Sequence, residues 1–131
     1  VNPLIVDGQV HGGLAQGIAQ ALYEEAVHDE SGTLINASFA EYLVPSAVDL
    51  PSFVTGRTET PATTNPLGVK GVGEAGTIAS TPAVVNAVID AVRHLGVEDI
   101  EMPCSPMRVW HAIHTAAGRP ATSDTAREGL Q

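Results

Sequence analysis

The residues with the clearest chemical potential lie in GVKGVGEAGT, residues 68–77, where one carboxylate, Glu74, stands among glycines. Gly71, Gly73 and Gly76 also spell G-x-G-x-x-G, the pattern of a dinucleotide phosphate loop. The two readings ask for different chemistry. A phosphate loop needs backbone N–H groups converging on an anion at a helix N-terminus. A glutamate between glycines, just ahead of a helix, suits a general base instead, because residues without Cβ let the chain bend and let a large ligand lie against it. On spacing alone, the plainer reading of Glu74 is a solvated side chain in a glycine-rich turn.

Other candidates carry less. His111 and His114 lie three apart on an expected helix, but zinc needs more ligands, and neither H-E-x-x-H nor a Cys/His cluster occurs. His11, beside Gly12 and Gly13, is better placed for a site. Cys104, the single cysteine, has no activating base beside it, so it reads as an inert buried thiol. It forbids an internal disulfide and fits a reducing, cytoplasmic setting. Ser80 and Ser105 lack the context of a nucleophile elbow, and no Gly-Lys-Ser/Thr is present for a Walker loop.

These residues need elements to hold them. PLIVDGQV reads as a short strand ending at the Asp7-Gly8 turn. HGGLAQGIAQALYEEAVHD has apolar residues at Leu14, Ile18, Leu22 and Ala26, the period of a helix. Glycine costs about 1 kcal/mol relative to alanine inside a helix, so Gly12, Gly13 and Gly17 imply a close neighbour. TLINASF and FVTGRTETP read as strands within a proline-rich, irregular stretch. STPAVVNAVIDAVRHLG is expected to be a helix capped by Thr81, with Pro82 at its first position, a Val84, Val88, Val92, Leu95 stripe and Gly96 as its stop. VEDIEMP suggests a strand, and SPMRVWHAIHTAAG a last helix capped by Ser105. The fold class expected is α+β, helices packed on short mixed strands, over residues 1–116, with a flexible tail at 117–131.

The chain has 131 residues, 44% of them hydrophobic but only 4% aromatic, so one domain with a core of small aliphatic side chains is expected. Its net charge of -9 opposes nucleic acid as a partner. No apolar run approaches the roughly 20 residues that span a bilayer. A start at Val1 in strand-like sequence suggests a piece of a longer protein. The dinucleotide reading lacks its strand: TPATTNPLGVK, ahead of the glycines, is threonine-rich and carries two prolines.

Taken together, DGQVHGGLAQGIAQAL (7–22), EYLVPSAVDLPSF, NPLGVKGVGEAGT and MPCSPMRVWHAI resemble the C-terminal part of the molybdopterin-binding large subunit of the xanthine oxidase family, above all its carbon monoxide dehydrogenase and aldehyde oxidase branches. The resemblance covers residues 1–116 and implies a partial molybdenum-cofactor-binding domain. It places the family's cofactor-side glutamine at Gln9, with Gly12 and Gly13 giving clearance, and the family's V-G-E at Val72, Gly73 and Glu74. Lys70 fits a lysine often found four residues before that glutamate. It implies hydroxylation of an aldehyde, N-heterocycle or carbon monoxide with water as oxygen source and Glu74 as base. The implied cofactors are molybdenum-molybdopterin, in its plain or cytosine dinucleotide form, and 2Fe-2S clusters and FAD on partner subunits. Cys104 does not match the copper-binding cysteine loop of carbon monoxide dehydrogenases. The implied partners are the rest of the subunit and the iron–sulfur and flavin subunits, with a homo-oligomer as a way of covering exposed apolar surface. Because family large chains are several times longer, the chain alone is expected to be inactive. Two alternatives stay open: a non-catalytic assembly or cofactor-handling module on the same scaffold, and dinucleotide binding through Gly71, Gly73 and Gly76.

Overall fold

A computed structural model describes residues 1–118. The expected tail at 117–131 lies outside the described residues apart from Ala117 and Gly118, which close the last helix.

Three helices make the frame: α1 (Pro3–Leu22), α2 (Ala75–Val92) and α3 (Pro106–Ala116). The first begins where a strand was expected. Asn2 caps it, its side-chain oxygen accepting from the N–H groups of Leu4 and Ile5 at 3.1 and 3.3 Å, and Pro3 takes the first helical position. The helix then runs through Gly8, Gly12, Gly13 and Gly17. At Gly13 and Gly17 packing outweighs poor propensity, because α2 crosses α1 there.

The crossing is as close as backbone allows. A methyl group on Gly76 would lie 2.7 Å from the Val10 carbonyl oxygen and 3.0 Å from the Leu14 nitrogen. One on Gly13 would meet the Gly76 Cα at 3.0 Å, and one on Gly17 would overlap the Ser80 hydroxyl. Gly13, Gly17, Gly76 and Ser80 are all buried. Thr81, expected as a helix cap, lies inside α2 and donates across the seam to the Gly17 carbonyl at 3.2 Å. Pro82 is likewise internal. Past α2, a short 3₁₀ turn (Arg93–Leu95) ends at Gly96 with φ 89°, the stop its sequence position suggests.

The core lies at the other end of α2. Val97, Ile100 and Cys104 are buried against Leu22, Val85, Val88, Ile89, Val92, Val109, Ala112 and Ile113. The inward stripe of α2 therefore keeps Val88 and Val92 from the expected set but adds Val85 and Ile89. The Cys104 N–H donates to the Ala21 carbonyl at 2.7 Å, tying the chain ahead of α3 to the end of α1. Ser105 caps α3 by accepting from the Arg108 N–H at 3.3 Å, with Pro106 at the first position, as its sequence predicts.

The α+β expectation is corrected. Among the described residues the only strand-like pairing is an isolated bridge, His28 to Leu34, around a turn in which Gly32 has φ 84°. TLINASF, FVTGRTETP and VEDIEMP form no ladder. In TLINASF the pairing stops at a tight local turn to residues 27–29, and FVTGRTETP, which ends at Pro61, lies beside α1 and not beside another strand. The fold is helical. A second correction concerns length: Ala75–Leu95 is one continuous helical run, long and apolar enough by those measures to cross a membrane, whereas the proline at 82 hid that continuity in the sequence.

Candidate active site

The α1–α2 crossing decides which residues meet. Because Gly76 seats on Val10 and Leu14, the first turn of α2 lies against the first half of α1. This places the Gln9 side-chain oxygen 3.7 Å from the point where a side chain on Gly73 would begin. Glu74 follows at the N-cap of α2 (φ −99°, ψ −8°), and its carboxylate makes no capping hydrogen bond. Both Gln9 and Glu74 are exposed. A carboxylate that is not consumed by capping keeps its oxygens available to a ligand.

The loop delivering Glu74 is internally bonded. Asn65 donates through its amide to the Val69 carbonyl at 3.0 Å and accepts from the Val69 N–H at 3.1 Å. The Ala62 N–H donates to the Gly68 carbonyl at 2.9 Å, and Gly68 has φ 65°, a conformation that favours glycine. Lys70 donates to the Thr60 hydroxyl at 3.0 Å.

The glycines divide into two kinds. Gly13, Gly17 and Gly76 are closed by the partner helix, so the approach that Gly13 permits here is that of α2. Gly8, Gly12 and Gly71 have open space where a Cβ would stand. Bare backbone at Gly12 and Gly71, each three residues along the chain from a polar side chain, Gln9 and Glu74 respectively, leaves open space there. Such a surface fits a bulky cofactor with polar edges.

It does not suit a dinucleotide. No strand precedes Gly71 among the described residues, and Gly76, the third glycine of the pattern, is buried under α1. His11 packs against Phe53, ring centroids 5.7 Å apart. His111 and His114 both contact the Trp110 ring, His114 stacking on it at 3.7 Å. Among the described residues no group of three or more His, Cys, Asp or Glu is gathered for a metal. Cys104 is buried, and burial pushes its thiol up, away from the reactive thiolate.

One feature had no sequence signal. Arg57 pairs with Asp7 at 2.6 Å and donates to the Pro3 carbonyl at 3.3 Å, while Thr55 donates to Asp7 at 3.3 Å. The hydrogen bond from Arg57 holds the Asp7 carboxyl below the ordinary aspartate range.

Comparison with known proteins fixes the family. The model of a molybdopterin cofactor-binding domain matches residues 1–51, which include all of α1. The carbon monoxide dehydrogenase large chain of Hydrogenophaga pseudoflava is 39% identical over 113 residues, 86% of this chain and 14% of that one. The xanthine dehydrogenase molybdenum-binding subunit of Escherichia coli O157:H7 is 36% identical over 117 residues, covering 88% of this chain and 15% of that subunit. The crystal structure of quinoline 2-oxidoreductase from Pseudomonas putida 86 superposes with a TM-score of 0.85 at 42% identity, over 88% of this chain and 15% of that one. The chain belongs to the xanthine oxidase family of molybdopterin-binding subunits. It spans about one seventh of the length of these relatives, 14% in the case of the H. pseudoflava large chain. The similarity extends well past the residues that the domain model matches and takes in α2 and α3, so the helical crossing belongs to the family scaffold.

Proposed function

We propose that this chain is the C-terminal part of the large subunit of a molybdenum hydroxylase, with Glu74 as the active-site base. The substrate class is an aldehyde, an N-heterocycle or carbon monoxide, and water is the oxygen source. The observation that supports this reading is the Gln9 side-chain oxygen standing 3.7 Å from where a side chain on Gly73 would begin, next in sequence to Glu74, whose carboxylate makes no capping hydrogen bond.

When bound, the molybdenum cofactor supplies two-electron redox chemistry at the metal. The residues of this chain do the rest on their side of the site. Gln9 offers an amide that can both donate and accept, which suits it to orient the polar edge of a pterin. Gly12 leaves room for that edge to lie against α1. Glu74 accepts and holds a proton at a carboxylate oxygen, and the head of α2 sets the backbone position from which that side chain reaches. The rest of the large subunit would complete the pocket, and 2Fe-2S clusters and FAD on partner subunits would serve as electron acceptors.

The test is Glu74→Gln in the complete subunit, which keeps the shape and removes the base. Substrate oxidation is expected to fall by about 10²–10⁴-fold, the usual worth of a positioned acid–base group, with molybdenum and pterin content unchanged. Turnover near the parent level would overturn the assignment and favour a non-catalytic role for this scaffold.

A further inference from the structure

The extended segment that follows Pro51 lies along α1 in a matched register. Phe53 faces His11, Thr55 faces Asp7, and Arg57 reaches Asp7 and the Pro3 carbonyl. Alternate residues of an extended chain point the same way, about 6.6 Å apart, and four residues of helix rise about 6 Å, so the two repeats stay in step. Val54, between the facing residues, is fully exposed, whereas Phe53 and Thr55 are partly covered. Farther on, the same segment reaches the loop that carries Glu74: Thr60 accepts from Lys70, and Ala62 donates to the Gly68 carbonyl.

We propose that residues 53–62 are a strap that sets the position of Gln9 relative to Glu74, with Arg57 as its main positioning residue. This rests on the reading of Glu74 and Gln9 given above. The α1–α2 seam, which begins where Gly76 meets Val10, fixes α1 from there onward, but the first turns of α1, which carry Pro3 and Asp7 and lead into Gln9, extend beyond it. The strap covers those turns. It joins them, through Thr60 and Ala62, to the loop ahead of Glu74, so a single stretch of chain holds both halves of the site. Arg57 suits the task because its planar guanidinium reaches a carboxylate and a backbone carbonyl at once, which a lysine does as a single point charge. A lone ion pair this exposed contributes little to stability, so its value here is geometric.

The experiment uses the complete subunit in its complex, carrying Arg57→Met, Asp7→Asn or Thr60→Val, with Glu74→Gln as a separate control. Three things are measured: kcat and KM, molybdenum and pterin content, and amide hydrogen exchange along α1. Each strap variant is expected to lower kcat about tenfold, since small misplacements of reacting groups cost rates of that order. KM should stay within about twofold. Exchange should quicken across residues 5–11 and stay unchanged across 14–21. Arg57→Lys should recover part of kcat, and the exchanged pair Asp7→Arg with Arg57→Asp more of it than either single change. Unchanged kcat in Arg57→Met, with or without faster exchange, overturns the strap as a positioning device. Unimpaired turnover in Glu74→Gln instead marks failure of the site reading itself. If Arg57→Met loses molybdenum, Thr60→Val and Arg57→Lys carry the decision.

Discussion

At the scale of single residues, glycines that look alike in the sequence do opposite work. Gly76 is pressed against the backbone of α1, where a methyl group would stand 2.7 Å from a carbonyl oxygen that cannot turn away. Gly76→Ala is therefore expected to destabilise the fold by about 1–3 kcal/mol, as overpacking does, and chemical denaturation of the complete subunit would read this directly. Gly12 has nothing within 4 Å of its missing side chain. Gly12→Ala should be neutral or stabilising by up to about 1 kcal/mol through helix propensity, yet it should lower pterin occupancy, because the methyl group enters the proposed cofactor space. Normal pterin content in Gly12→Ala would remove Gly12 from the site. The sequence showed that some close neighbour lay against this helix, but not which glycine met α2 and which met open space. That distinction depends on the face of α1 toward which α2 falls, and this is settled by a crossing whose two halves are far apart in the chain. Glu74 stood out locally, but spacing alone read it as a solvated turn residue, and its role as a base came only from the family resemblance. A carboxylate between glycines at a helix start is a local pattern, and the structure leaves its side chain uncommitted.

At the scale of elements, the helices were legible where a cap and an apolar stripe coincide, as in α3 with Ser105 and Pro106. They were misread where proline sent two messages. Pro3 after Asn2 is a helix start, but Leu4, Ile5 and Val6 together imitate a strand, and burial could not arbitrate because Leu4 and Ile5 stay exposed. Pro82 looked like a first helical position, yet α2 begins at Ala75 and carries it inside. The hydroxyls of Ser80 and Thr81 there donate back to the Thr77 carbonyl, at 3.4 Å each, in a turn that proline deprives of one backbone donor. The strap was invisible because its contacts are side-chain pairs across a long sequence separation. It yields a prediction in pH. Arg57 lowers the Asp7 carboxyl below its ordinary value of 3.8. A group with a lowered folded-state value contributes stability above its unfolded value and loses it as pH falls through the folded one. The strap should therefore hold through neutral and mildly acidic pH and loosen only below 3.8. A carbon-detected NMR titration of the Asp7 carboxyl should give a midpoint under that value, returning towards it in Arg57→Met. A midpoint that is the same in both proteins would show that the pair does not persist in solution.

At the scale of the whole molecule, the apolar surface is far from closed. Phe39 is 91% exposed, Val48 90%, Leu67 82% and Leu4 80%, and the buried core residues are small or few. A stable domain of this length hides most of its large aliphatic and aromatic side chains, and contiguous exposed apolar surface marks contact with other protein. The chain covers only 14% of the carbon monoxide dehydrogenase large chain it is similar to, and under the reading proposed above the remainder of a large subunit would cover these residues. Produced alone, residues 1–131 should bury the same surface against copies of themselves. Size exclusion with light scattering is expected to show species larger than the 13.5 kDa monomer, and a dye that fluoresces on apolar surface should bind strongly. Co-production with the missing portion of a large subunit should abolish both signals and yield a single complex, because intact partner surfaces compete with self-association by mass action. The net charge of -9 works against indiscriminate clumping, so the self-associated species should be limited in size and should grow as salt screens that repulsion. A monodisperse monomer that binds no such dye would mean that the exposed side chains are covered within the chain itself, and the proposal that this surface belongs inside a larger subunit would fall with it.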